Sequence, residues 1–157
     1  MPQVPDVPLD GLYGDLIINH YRNPRHRRSV PDPDVEAEEF NPFCGDRVVV
    51  QLKLDDSGCV SQVSASTEGC SIIHASASMM AEALSGKTLD ELEALAEHFR
   101  SMMQGRTPGD MAEGGLGDLE SLKVVRQYPV RIKCALLPWT ALEEGIDYYR
   151  SSQARDQ

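Results

Sequence analysis

Three of the four cysteines in this 157-residue chain stand where an open metal site would need them, and the first has an aspartate two residues on. Cys44 lies in Asn41-Pro42-Phe43-Cys44-Gly45-Asp46, Cys70 in Glu68-Gly69-Cys70-Ser71-Ile72, and Cys134 in Arg131-Ile132-Lys133-Cys134-Ala135. Three thiolates and a carboxylate can close a tetrahedral site around a borderline-soft ion such as Zn²⁺. On an extended segment two side chains at a spacing of two point the same way, so Cys44 and Asp46 can reach one ion. A structural zinc site more often uses cysteine and histidine alone. An aspartate makes one corner harder and more exchangeable, which suits a site that handles something. Arg131 and Lys133 can offset the negative charge of such a cluster, or can be an ordinary surface pair.

A second reading of the same residues stays open at this point. Buried cysteines behave as small hydrophobes, and none of these has the C-x-x-C spacing that makes a zinc assignment strong. Cys59 follows a hairpin turn and reads as an ordinary thiol. His74 lies four residues after Cys70, on the same face if both are helical, which is ligand spacing; a lone histidine is more often packed or solvated. The methionines read as core filler. Gly114-Gly115-Leu116-Gly117 lacks the preceding strand and following Lys-Ser/Thr of a phosphate loop.

The elements that must position these residues follow from periodicity. Leu12, Tyr13, Leu16, Ile17 and Tyr21 recur at helical spacing, so a helix is expected over 10–22, stopped by Asn23-Pro24. The proline- and acid-rich stretch 29–43 reads as an extended loop delivering Cys44. Arg47–Leu54 and Cys59–Ser66, joined by Asp55-Asp56-Ser57-Gly58, read as a hairpin, with Cys70 at the end of its second strand. A small-residue helix runs from Ser71 to Leu84. Thr88-Leu89-Asp90-Glu91 is a capping box opening a helix to about Met103. Residues 105–117 contain five glycines and are expected as a flexible insertion. A short helix with Leu119, Leu122 and Val125 follows. The last helix is expected to start one or two residues before Pro138, since its first turn needs no N–H from proline. On that basis Cys70 begins a helix and Cys134 precedes one, and helix N-termini favour thiolates.

The fold expected is α+β, a small antiparallel, hairpin-based sheet with helices packed on one face. Residues 1–9 are expected as a disordered lead-in, 10–150 as one domain, and 151–157 as a disordered tail. A net charge of −10 argues against general affinity for nucleic acid or anionic membrane. The exception is Arg22-Asn23-Pro24-Arg25-His26-Arg27-Arg28, a solvated loop or a docking patch for an acidic protein. No segment approaches the roughly 18–20 apolar residues of a membrane span, and Met1–Pro8 lacks a secretion signal's basic start and apolar core. A cytoplasmic location is expected, where thiols stay reduced and clustered cysteines point to metal or catalysis.

The three cysteine motifs, with Ala75-Ser76-Ala77-Ser78-Met79-Met80, Trp139 and the early Asn19-His20-Tyr21-Arg22-Asn23-Pro24-Arg25, resemble the IscU/NifU-type family of iron–sulfur cluster assembly proteins. The resemblance runs from about Leu12 to Tyr148. Lys133, where IscU-type scaffolds typically carry histidine, and the extra segment around 105–122 are similar to the SufU branch. That resemblance implies zinc bound by Cys44, Asp46, Cys70 and Cys134. It implies Cys44 as persulfide acceptor from a SufS-type cysteine desulfurase, Arg131 in support, and a SufBCD-type complex downstream. The activity implied is that of a zinc-dependent sulfurtransferase. The alternatives are an IscU-like scaffold on which an Fe–S cluster is assembled, and a purely structural zinc domain, which the aspartate argues against. His74, where the family tends to have a small or apolar residue, and Pro138, in what is usually a smooth helix start, depart from the pattern.

Overall fold

The computed structural model describes residues 11–23, 28–41, 45–105 and 117–155. The lead-in, the centre of the arginine run, most of the glycine-rich insertion and Pro42-Phe43-Cys44 lie outside the described residues.

Helix α1 spans Gly11–Arg22, as its apolar spacing predicts. Three strands follow, β1 Val35–Asn41, β2 Asp46–Leu54 and β3 Val60–Glu68, in an antiparallel sheet of order β1-β2-β3. Alternation governs β2, where Asp46, Val48, Val50 and Leu52 are buried and the residues between them half-buried. That pattern fixes the register, because a slip of one residue would turn every apolar side chain to solvent.

The existence of β1 corrects the expected extended loop over 29–43. Its sequence, Val-Glu-Ala-Glu-Glu-Phe-Asn, is poor in strand formers, and its pairing is what makes it a strand: Val35 faces Leu52, Ala37 faces Val50 and Asn41 faces Asp46. Cross-strand partners let the acids sit there, Arg47 ion-paired to Glu38 and Gln51 donating a hydrogen bond to Glu36 at 2.5 Å.

Helix α2, Ser71–Leu84, is almost wholly buried and built of Ala, Ser and Met, so neighbours approach it closely. Helix α3, Leu89–Met103, opens with both halves of the expected capping box: Thr88 Oγ1 accepts from the Glu91 N–H, and the Glu91 carboxylate accepts from the Thr88 N–H. A 3₁₀ segment, Gly117–Gln127, buries Leu119, Leu122 and Val125, the three residues expected to anchor a short helix.

Helix α4, Pro129–Arg155, departs twice from expectation. It begins at Pro129, nine residues before Pro138, so Pro138 lies inside it and Cys134 is the helix's sixth residue. Pro138 has no N–H to give the Cys134 carbonyl one turn back. Tertiary packing tolerates that loss, because Cys134, Ala135, Pro138 and Trp139 are all buried. At the far end, residues 151–155, expected as tail, are helical.

The core lies between sheet and helices. Val48, Val50, Leu52 and Val63 from the strands meet Ile72, Met80, Phe99, Trp139, Leu142 and Ile146 from the helices. The fold is α+β, a three-stranded antiparallel sheet with helices packed on it. Ser76, fully buried on α2, donates to the Ala135 carbonyl of α4 at 2.6 Å and locks those helices together beside Cys134.

Helix α4 also approaches β1 closely. A side chain at Gly145 would place its Cβ 3.0 Å from Val35 Cγ1 and 3.2 Å from Ala37 Cβ. Next to this contact Glu144 shares a hydrogen bond with Glu39 of β1. That bond first, then desolvation and the charges of Glu39, Asp147 and Glu143, pushes Glu144 up from 4.5 to about 7. The folded chain therefore keeps a proton that the unfolded chain releases. The stabilisation is fully present below about pH 4.5 and is lost as pH rises through about 7. Glu144→Gln, which keeps a donor without the charge, is expected to flatten the dependence of Tm on pH between 4.5 and 7 and to raise Tm above it. Scanning calorimetry across that range checks this; an unaltered slope contradicts it.

Candidate metal centre

Asp46 opens β2, Cys70 caps α2 at the end of the β3–α2 link, and Cys134 sits in the second turn of α4. The fold brings one ligand-type atom from each within 4.8 Å of the others. Asp46 and Cys134 are fully buried and Cys70 half-buried. Of the four ligands expected from sequence, three thus converge. The fourth, Cys44, lies outside the described residues.

The Asp46 carboxylate is held from one side. Its Oδ1 accepts the Cys70 backbone N–H at 3.2 Å, whereas Oδ2 is buried and has no partner among the described residues. A buried carboxylate oxygen left unbonded costs on the order of 1–3 kcal/mol or more. A cation bound there would remove that cost. The donors, two sulfurs and an oxygen, one short of a tetrahedral set, suit a borderline-soft ion. The residues present therefore fit zinc.

Proton sharing makes the same point. The Cys134 thiol hydrogen-bonds to Cys70, and with help from the Ile73 and Ile72 backbone N–H groups this lowers Cys70 from 9.0 to about 7, against burial and the Asp46 charge. Cys134 moves the other way. Its bond to Cys70, burial and the negative charge of the nearby Asp46 carboxylate all hold its proton on. The helix-dipole argument thus holds for Cys70 and fails for Cys134, which lies inside α4 and not ahead of it.

Arg131 stands one turn before Cys134 and points Nη1 at its Sγ at 3.8 Å. Lys133 is exposed. It lines a cavity of about 330 Å³ with Phe40, Asn41, Arg100, Leu136, Leu137 and Thr140, next in sequence to Cys134. Phe40, 58% exposed, and Val130, 63% exposed, are large apolar residues left in solvent close in sequence to this site.

His74 is not among the clustered ligands. Its Nδ1 pairs with Thr67 Oγ1 at 2.5 Å and its ring packs tilted on Tyr21 at 5.9 Å. Cys59 sits apart, in an isolated bridge to Thr88. The expectation that an extended segment aims Cys44 and Asp46 together falls on Cys44, which lies outside the described residues; Gly45 between them is left-handed at φ +70° and donates its N–H to the Asn41 carbonyl at 2.9 Å.

Sequence reasoning passed over Gly69, which stands at φ +135° against Asp46. The one signal available was a glycine immediately before a candidate ligand.

Comparison with known proteins matches residues 12–156 to the family model described as NifU-like N terminal domain. The chain belongs to the NifU-like N-terminal domain family. Among relatives of this NifU-like chain, the zinc-dependent sulfurtransferase SufU of Bacillus subtilis is 43% identical over 138 residues, covering 88% of this chain and 91% of that one. The iron–sulfur cluster assembly scaffold protein IscU of Streptococcus pyogenes is 37% identical over 148 residues, covering 94% and 89%. A crystal structure from Fervidobacterium islandicum, of a candidate iron–sulfur cluster assembly scaffold for the SUF system, superposes with a TM-score of 0.77 at 29% identity, covering 83% of this chain and 93% of that one. No helix among the described residues is long and apolar enough to cross a membrane.

Proposed function

We propose that this NifU-like chain works in iron–sulfur cluster assembly as a zinc-dependent sulfurtransferase. In this reading it accepts persulfide sulfur from a SufS-type cysteine desulfurase and passes it to a SufBCD-type complex. The observation that carries the reading is the convergence of Asp46, Cys70 and Cys134 with the buried Asp46 Oδ2 unbonded. The similarity to a zinc-dependent sulfurtransferase supports it.

Cys44, Asp46, Cys70 and Cys134 would hold the zinc, which when bound keeps thiols deprotonated and screens the negative charge. The sulfur step belongs to the chain. The Cys44 thiolate attacks the outer sulfur of the donor's cysteine persulfide, a new S–S bond forms on Cys44, the donor's S–S bond breaks and its thiolate leaves. No oxidant is needed, since sulfane sulfur and its oxidation level move together. Arg131 supports the site by directing its positive charge at the Cys134 sulfur. A compartment in which thiols stay reduced, such as the cytoplasm, suits this chemistry. Exposed Phe40 and Val130, with the cavity beside Lys133, give a docking partner apolar and cationic purchase next to the site.

The alternative is an IscU-like scaffold on which a cluster is built from the same cysteines, favoured by the scaffold relatives. Anaerobic native mass spectrometry after incubation with a SufS-type desulfurase, cysteine and ferrous iron separates the two. Retained zinc plus one added sulfur, absent in Cys44→Ala, is the result expected of a relay. Zinc replaced by iron and inorganic sulfide would make the chain a scaffold.

A further inference from the structure

We propose that Gly69 is a positioning residue for the metal centre, whose missing side chain is the space in which the Asp46 carboxylate sits. A Cβ built on Gly69 would lie 2.1 Å from Asp46 Oδ1, 2.9 Å from its Cγ and 3.0 Å from its Cα. Rotating the aspartate does not open that gap, because the last of these contacts is to backbone that no rotamer moves. Asp46 cannot swing outward either; it is fully buried at the head of β2, on the same sheet face as Val48 and Val50.

The register explains why the two residues meet. Arg47 pairs with Glu68 across β2 and β3, so the next residues outward on each strand, Asp46 and Gly69, come face to face at the end of the sheet. There Gly69 takes φ +135°, a conformation that side chains disfavour. With that turn the following N–H, that of Cys70, points back at Asp46 Oδ1. One carboxylate oxygen is thereby anchored by the backbone of a second ligand, and the other is left for the ion. Gly69 does in this way what partners behind a ligand commonly do: it fixes the ligand's orientation before the metal arrives. The inference rests on the reading of Asp46 as a ligand.

Two separable effects are built into Gly69→Ala. Backbone strain at positive φ does not depend on residue 46, whereas the clash with Oδ1 and Cγ does. A double-mutant cycle with Asp46→Ala therefore isolates the positioning role. Zinc affinity is measured by competition with a chromophoric chelator, and site geometry by the visible d–d bands of the cobalt-substituted proteins.

G69A alone is expected to weaken zinc binding about 10–100-fold and to shift the cobalt bands, as loss of an orienting partner does. In the Asp46→Ala background, which lacks Oδ1 and Cγ, the same change is expected to move neither by more than about twofold, because only the backbone strain and the contact to Cα remain. Equal losses in the two backgrounds, or no loss in the first, would overturn the proposal. Asp46→Ala binding zinc as the parent does, with unchanged cobalt bands, would instead remove Asp46 as a ligand, a separate failure visible in a separate arm. If G69A does not fold but the double variant does, that rescue itself establishes the clash. If neither folds, backbone conformation alone accounts for Gly69 and the proposal fails.

Discussion

A Cys134→Ser variant is expected to lose zinc at chelator concentrations that the parent survives, with an affinity loss greater than the about 100-fold that removing an orienting partner costs. The reason is the position of the sulfur. Cys134 is fully buried in α4, held by the Ser76 bond to the next residue, and its Sγ lies in one cluster with Cys70 and Asp46. Serine fills nearly the same space, so the core is not the casualty. Its hydroxyl is a harder donor that does not ionise near neutral pH, and it offers a soft ion much less than a thiolate does.

The same site carries a pH signature. Without metal, Cys134 keeps its proton through its bond to Cys70, so binding must expel it. Zinc affinity of the parent should fall as pH drops through about 7, where Cys70 also takes up a proton. Competition titrations at several pH values read both effects. A serine variant that holds zinc as tightly as the parent would exclude Cys134 from the ligand set.

Trp139→Ala is expected to cost about 3–5 kcal/mol and to lower Tm by on the order of 10 °C. Trp139 is fully buried and stacks on Phe99 of α3 with ring centroids 4.8 Å apart, five residues after Cys134 on the same helix. Removing it opens a cavity between α3 and α4 that rigid neighbours fill only in part. Its indole N–H has no partner among the described residues, so Trp139→Phe should cost far less, since it also removes a buried unbonded donor. Thermal denaturation of both variants checks the contrast. Equal losses would mean that specific shape, and not volume, holds α4 against α3.

Local chemistry made much of this legible. The capping box at Thr88 and Glu91 needs only its own four residues to form, and it appears as written. The spacing in α1 and the alternation of Asp46–Leu54 likewise report which side will be buried. Where reading failed, a distant partner had decided. Glu36, Glu38 and Glu39 argue for a loop until β2 supplies Arg47, Gln51 and a ladder of backbone bonds. Pro138 argues for a helix start until the burial of Cys134, Ala135 and Trp139 outweighs one missing hydrogen bond.

The candidate site divides in the same way. Ligand-type residues could be recognised from the cysteine motifs alone, because donor chemistry is a property of the residue; the family resemblance drew also on the 75–80 stretch, Trp139 and the end of the first helix. The convergence of Asp46, Cys70 and Cys134 could not, since it depends on where β2 begins, where β3 yields to α2, and how α4 packs across both. Gly69 shows the limit most plainly. In sequence it is a glycine beside a cysteine; in the fold its absent Cβ is filled by an aspartate from 23 residues earlier, brought opposite by strand pairing. Sequence alone determined which atoms can bind a metal. Tertiary structure decided which of them meet and how one is oriented, because positions far apart in the chain share space only once the sheet has paired and the helices have packed.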